Sequence, residues 1–149
     1  MEYAIRRYRD ADHAQLGQFW QLVFNEQAPH NFPARIIADK LAMPSELGRE
    51  LLLICECEGR IVGTTLAGWD GHRGWLYAVA VHPDCRRLGL GAALVRAAEA
   101  ALAELGCNKI NLQIRAGNEA VANFYRALGY AVEARTSMGR LLVEPDAQT

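Results

Sequence analysis

Arg86-Arg87-Leu88-Gly89-Leu90-Gly91-Ala92 runs directly into a stretch with apolar residues at helical spacing: Leu94, Ala97, Ala98, Ala101, Leu102 and Leu105. Gly89 and Gly91 lack a Cβ, so a ligand can approach the backbone closely there. A helix that opens at this point offers the unpaired N–H groups of its first turn, and its dipole favours an anion. Arg86 and Arg87 add positive charge and forked donors at the same mouth. The chemistry this points to is the binding of a phosphorylated ligand. On its own, the stretch also fits a glycine-softened turn before an ordinary helix. The chain has no Gly-x-x-x-x-Gly-Lys-[Ser/Thr], which argues against a nucleoside-triphosphate loop. The glycines come past mid-chain in the order Arg-x-x-Gly-x-Gly, which is not the dinucleotide fingerprint.

Groups able to move a proton are fewer. Asp70 and His72 share the segment Asp70-Gly71-His72-Arg73-Gly74, and histidine is the residue type suited to proton transfer near neutral pH. Asp-Gly is also a strong turn pair, so a plain polar turn explains both residues equally. Glu26 is a third candidate base. His30 and Asn31 fall in a loop, and Trp69 and Tyr77 lie on strand-like runs where aromatics belong to the core or line a cleft. Asn118 is placed to cap a helix that carries Val121, Phe124, Tyr125 and Leu128 on one face. Spacing alone makes Tyr125 a core aromatic.

The elements that must position these residues follow from periodicity. Tyr3 to Tyr8 alternates and predicts a first strand. Asp10 or Asp12 then caps a helix whose stripe is Leu16, Phe19, Trp20, Val23 and Phe24. Pro33 opens a second helix with Ile36, Ile37 and Leu41, and Pro44 helps end it. Leu51–Glu58 and Ile61–Trp69 are strands joined by a tight turn at Glu58-Gly59-Arg60, and Trp75–Val81 is a third strand. After the glycine loop and its helix, Gly106 is a C-terminal cap and Ile110–Ile114 a further strand. The Asn118 helix stops at Gly129, and one or two final strands follow from Tyr130. The expected architecture is a mixed α/β sheet, mostly antiparallel, with helices on both faces, formed by residues 1–149 as one domain.

Val79-Ala80-Val81-His82-Pro83 followed by Arg86-x-x-Gly89-x-Gly91-Ala92 resembles the acetyl-CoA signature of the GNAT (GCN5-related) N-acetyltransferases. A second block, Asn118-Glu119-Ala120-Val121-Ala122-Asn123-Phe124-Tyr125 and then Leu128-Gly129-Tyr130, is similar to that family's C-terminal Asn…Tyr…Gly-aromatic block, in the family's order and separation. Asp70-Gly71-His72-Arg73-Gly74 also resembles a bacterial subgroup, the YpeA-like acetyltransferases. The resemblance implies acetyl transfer from acetyl-CoA to an amine. It assigns the pantetheine arm to the backbone of Val79, Ala80 and Val81, where a bulge would open the needed slot. It assigns the pyrophosphate to the backbone from Arg87 to Ala92, and a hydrogen bond to the arm to Asn118. Tyr125 becomes the donor of a proton to the departing thiolate, and the loop with His30 and Asn31 borders the acceptor. Relatives that acetylate protein N-termini carry a Glu five residues before the block's Asn. Here that position is Gln113, which cannot act as a base. The rival readings are such an N-terminal acetyltransferase and a non-catalytic acyl-CoA-binding module, which would not need Tyr125. A homodimer is compatible with the family.

Bulk composition is ordinary for a soluble globular protein. The chain has 149 residues, 51% hydrophobic and 22% charged, with a net charge of −1 and no Lys/Arg run. That argues against bulk attraction to nucleic acid or an anionic membrane. No apolar run approaches the roughly 20 residues of a membrane span, and the N-terminus has no signal-peptide core. Cys55, Cys57, Cys85 and Cys107 read as free thiols of a reducing cytoplasm, with no metal-site spacing.

Overall fold

A computed structural model describes residues 2–24, 33–44 and 51–143, so the candidates Glu26, His30 and Asn31 lie outside the described part. Strand β1 is Ala4–Arg7, helix α1 His13–Val23 and α2 Pro33–Leu41. Strands β2, β3 and β4 span Leu52–Cys57, Arg60–Trp69 and Gly74–Val81. Helix α3 is Leu90–Glu104, β5 is Ile110–Asn111 and α4 is Glu119–Ala127. The five strands form one sheet in sequential order, antiparallel except for the parallel pair β4–β5.

Strand β2 opens with an unbroken apolar run, Leu52–Cys55, because both of its faces are covered there. Leu52 and Ile54 face α1 and α2, packing with Leu16, Phe19, Trp20 and Ile37. Leu51 and Leu53 face α3 and α4, packing with Val95, Ala98, Leu102 and Tyr125. Each such aliphatic side chain contributes about 1.5–3 kcal/mol through burial. The β2–β3 turn consists of Glu58 and Gly59, with φ of 51° and 77°. Two positive φ values in a two-residue loop match the right-handed twist of the strands it joins.

The decisive irregularity is in β4. Gly63 pairs with Val81 and Thr64 with Ala80, but Leu66 pairs with Tyr77, so Thr65 stands opposite both Ala78 and Val79. Ala78 sits at φ 48°, a left-handed conformation that a Cβ disfavours. This is the bulge expected in the strand. Strand β5 pairs with β4 only at Gly74–Ile110 and Trp75–Asn111 and then diverges from it.

Three expectations are corrected. The strand predicted over Ile110–Ile114 stops at Asn111, because β4 has turned away and offers no further ladder. No strand forms from Tyr130 to Val143. That segment is tied to its neighbour by side chains instead: Lys109 Nζ and Asn111 Nδ2 donate to Glu133 at 2.6 and 2.7 Å, and Gln113 Nε2 donates to Ser137 at 2.6 Å. Asp12 is the N-cap residue of α1 but does not cap it through its side chain. The Asp12 carboxylate accepts from Arg9 N at 2.8 Å and from the Arg6 guanidinium at 2.8 and 2.9 Å.

Candidate active site

Where β4 and β5 part, a cleft of ≈ 1640 Å³ opens, walled by Trp75–Ala78 on one side and by residues 111–118 with Tyr125 on the other. Asn118 lies at its far wall. Its side chain accepts from Val121 N at 3.3 Å, so it does cap α4. The Nδ2 group makes no bond to a described residue and is free to donate into the cleft. Val121, expected inward, is exposed, and α4 packs through Phe124, Tyr125 and Leu128.

Tyr125 is only 8% exposed and stands edge-on to Phe124 and Tyr130, at centroid distances of 5.0 and 5.6 Å. Burial pushes its phenol up to about 12, so it stays protonated at neutral pH and is a donor rather than a base. Tyr130 differs, since its hydroxyl donates to Glu99 Oε2 at 2.7 Å. Tyr125 has no such commitment among the described residues.

The Arg86–Ala92 loop lies beyond the end of β4. Gly89 caps α3 at φ 78°, no side chain caps the helix, and a Cβ built on Gly89 meets nothing within 4 Å. The first turn of α3 is therefore open to an anion. Arg87 is also left-handed, at φ 67°, a strain of about 1–2 kcal/mol for a residue with a Cβ. Gly91 is needed for a further reason. A Cβ there would come within 3.2 Å of the Phe124 ring and 3.7 Å of Val81, so the missing side chain also lets α3 close onto α4. Val79, Ala80 and Val81 are half-buried and connect bulge to loop. The structure thus brings Val79–Val81, the Arg86–Ala92 loop and α4 together along one edge.

The proposed bases fare differently. Both oxygens of Asp70 are occupied: Oδ1 accepts from the backbone N–H groups of Arg73 and His72 at 2.6 and 2.7 Å, and Oδ2 from Trp75 Nε1 at 3.2 Å. Those bonds, the one from Arg73 foremost, hold its carboxyl below the usual carboxylate range. Asp70 is a turn anchor and a weak base. His72 is exposed and lines neither described cavity. Gln113 is spent on Ser137.

Two features were not legible in the sequence. A second cavity of ≈ 730 Å³ lies between α1, α2, β3 and β4, and shares Trp75, Tyr77 and Ala78 with the first. A hydrogen-bond chain also reaches the bulge: Trp20 Nε1 donates to Thr64 Oγ1 at 2.9 Å, and Thr64 Oγ1 donates to Ala78 O at 2.9 Å. Threonine in an apolar strand gives no signal of such a role. Among the described residues no three or more His, Cys, Asp or Glu side chains gather, and no helix is long and apolar enough to cross a membrane.

The sequence model of the Acetyltransferase (GNAT) family matches residues 13–130. An acetyltransferase of Yersinia enterocolitica is 34% identical over 93% of this chain and 95% of its own length. Among solved structures, AAC(6′)-Iy in complex with the bisubstrate analogue CoA-S-monomethyl-acetylneamine superposes with a TM-score of 0.75 at 17% identity, covering 96% of this chain and 100% of that one. The Escherichia coli ribosomal-protein alanine N-acetyltransferase gives 0.69 at 23% identity, covering 86% and 77%. At such identities the two structures speak for the fold alone.

Proposed function

The chain belongs to the acetyltransferase (GNAT) family and is an acyltransferase, and on that premise we propose that it moves the acetyl group of acetyl-CoA to a primary amine of a small molecule or peptide. The observation that carries the reading is the β4 bulge at Ala78–Val79, where a cleft opens against β5, followed beyond the end of β4 by the uncapped N-terminus of α3. Backbone of Val79–Val81 would hold the pantetheine arm as an added strand. The first turn of α3 with Arg86 and Arg87 would hold the pyrophosphate, and Asn118 Nδ2 the arm's amide.

The chemistry needs the amine lone pair to attack the thioester carbonyl carbon and the C–S bond to break as the tetrahedral centre collapses. The nitrogen sheds one proton to water, and the sulfur receives one. Tyr125 is the group suited to donate to sulfur, since it is a neutral phenol facing the cleft, and solvent would restore its proton. With Asp70 engaged and Gln113 an amide, the amine would arrive neutral without a dedicated base. Gln113 also weighs against the N-terminal acetyltransferase reading. The Asp70–Gly74 turn favours the YpeA-like subgroup, and four unpaired thiols suit a cytoplasmic location.

A melting scan tests the binding half of this reading. Acetyl-CoA at about 100 times its Kd adds roughly 2.7 kcal/mol, an upward shift of several degrees. An unchanged Tm at millimolar acetyl-CoA would remove the basis for the reading.

A further inference from the structure

Lys40 is the anomaly of the second cavity. It is only 7% exposed, and its one hydrogen bond runs from Nζ to Ala67 O at 2.5 Å. An ammonium has three protons to place, so two are left without an acceptor among the described residues. The carboxylates of the same cavity do not supply one. Asp39 is exposed and paired with Arg35 at 3.3 Å, and Asp70 holds its three donors. Around this charge the walls are apolar: Trp20, Phe24, Ile36, Leu66, Trp69 and Trp75. The volume, ≈ 730 Å³, suits a small molecule. The wall at Tyr77 and Ala78 is shared with the cleft assigned to acetyl-CoA, so an amine lying here would meet the thioester at the bulge.

We propose that Lys40 receives the carboxylate of the acceptor, which makes the substrate class amino acids, or molecules like them, that join a primary amine and a carboxylate to an apolar or aromatic body. This rests on the acetyltransferase reading of the neighbouring cleft. The physical basis is that a buried charge is costly until it is paired, and a carboxylate entering the cavity supplies the pair and two charge-assisted hydrogen bonds. Burial alone pushes the Lys40 ammonium down to about 8, which leaves it charged at neutral pH and able to act this way. The aromatic walls then take the side chain of the acceptor.

The test compares matched pairs that differ by the carboxylate, with rates referred to the neutral fraction of each amine because the carboxylate also lowers the amine's pKa: L-tryptophan with tryptamine, L-phenylalanine with phenethylamine, and L-leucine with isoamylamine. CoA release gives kcat/KM for each, in the wild type and in Lys40→Gln, which keeps a donor for Ala67 O but loses the charge. Lys40→Met provides a second, fully apolar variant should the amide fold poorly. The wild type is expected to favour the carboxylated member by about ten- to a hundredfold, the effect of a charge-assisted pair. Lys40→Gln should reduce that to about threefold or less, mainly through KM, with the acetyl-CoA melting shift intact. Equal rates within each pair, or a preference that survives in both variants, would overturn the proposal while leaving acetyl transfer standing. If no amine is acetylated, the melting shift by each pair member in the presence of CoA decides. A Lys40-dependent shift by the carboxylated member upholds this site as a binding site, and no shift overturns the proposal.

Discussion

Tyr125 and Tyr130 stack edge-to-face at 5.6 Å, yet only one phenol is engaged, because Tyr130 donates to Glu99 while Tyr125 faces the cleft. Spacing could not separate them, since both sit among apolar residues of α4 and its exit. The same limit applies to Asp70 and His72. Their residue types suggest a base, but the turn consumes the Asp70 carboxylate and leaves His72 in solvent. A pH prediction follows from these placements. Asp70 is held below the ordinary carboxylate range and Tyr125 is pushed up to about 12, so neither changes charge near neutrality. For two acceptors without a carboxylate and of different pKa, log kcat/KM should rise with pH, with a midpoint that moves with the acceptor. A midpoint common to both, and lost in His72→Gln or Asp70→Asn, would place the base in that turn after all.

Among the elements, β4 carries the most information. Its bulge was expected from the need for a slot, but the device that holds it was hidden. Trp20 in α1 and Thr64 in β3 reach across the sheet to the Ala78 carbonyl. Thr64→Val keeps the volume and leaves the buried indole N–H and that carbonyl unpaired. Each orphaned group costs about 1–3 kcal/mol, so the Tm should fall by several degrees. KM for acetyl-CoA should rise more than kcat falls, because the bulge shapes the slot and not the acid. A variant with wild-type Tm and KM would show that the bulge stands without the chain. The strands up to Val81 and both core-facing stripes were readable because alternation and the two-residue turn act locally. The short β5 and the strandless stretch after Tyr130 were not, because they depend on where β4 leaves its neighbour, and periodicity carries no trace of that divergence.

At the scale of the whole molecule, the sheet separates two apolar layers, and Lys40 is a buried charged residue beside one of them. Its folded pKa, about 8, lies below the unfolded value near 10.5, so the unfolded chain binds more protons between those limits. The Lys40 contribution to stability should therefore rise as pH climbs from about 8 toward 10, by roughly 3 kcal/mol at most. Two raised groups work the other way as pH approaches 10, the Cys55 thiol, pushed up to about 11 by burial, and the Tyr77 phenol, so the Lys40 effect is read as the difference between the wild type and Lys40→Met. Urea midpoints at pH 7.5 and 9.5 should show the wild type gaining stability relative to Lys40→Met over that interval; the same pH change in both proteins would mean that the ammonium is solvated. The account's central claim is acetyl transfer with Tyr125 as the acid, and its most direct test is the amine-dependent release of CoA thiol by the wild type and Tyr125→Phe at saturating acetyl-CoA. The expected result is turnover on at least one primary amine, reduced about 10²-fold or more in the variant, with the acetyl-CoA melting shift unchanged. Turnover by Tyr125→Phe equal to that of the wild type, or a melting shift without thiol release on any amine, would contradict it.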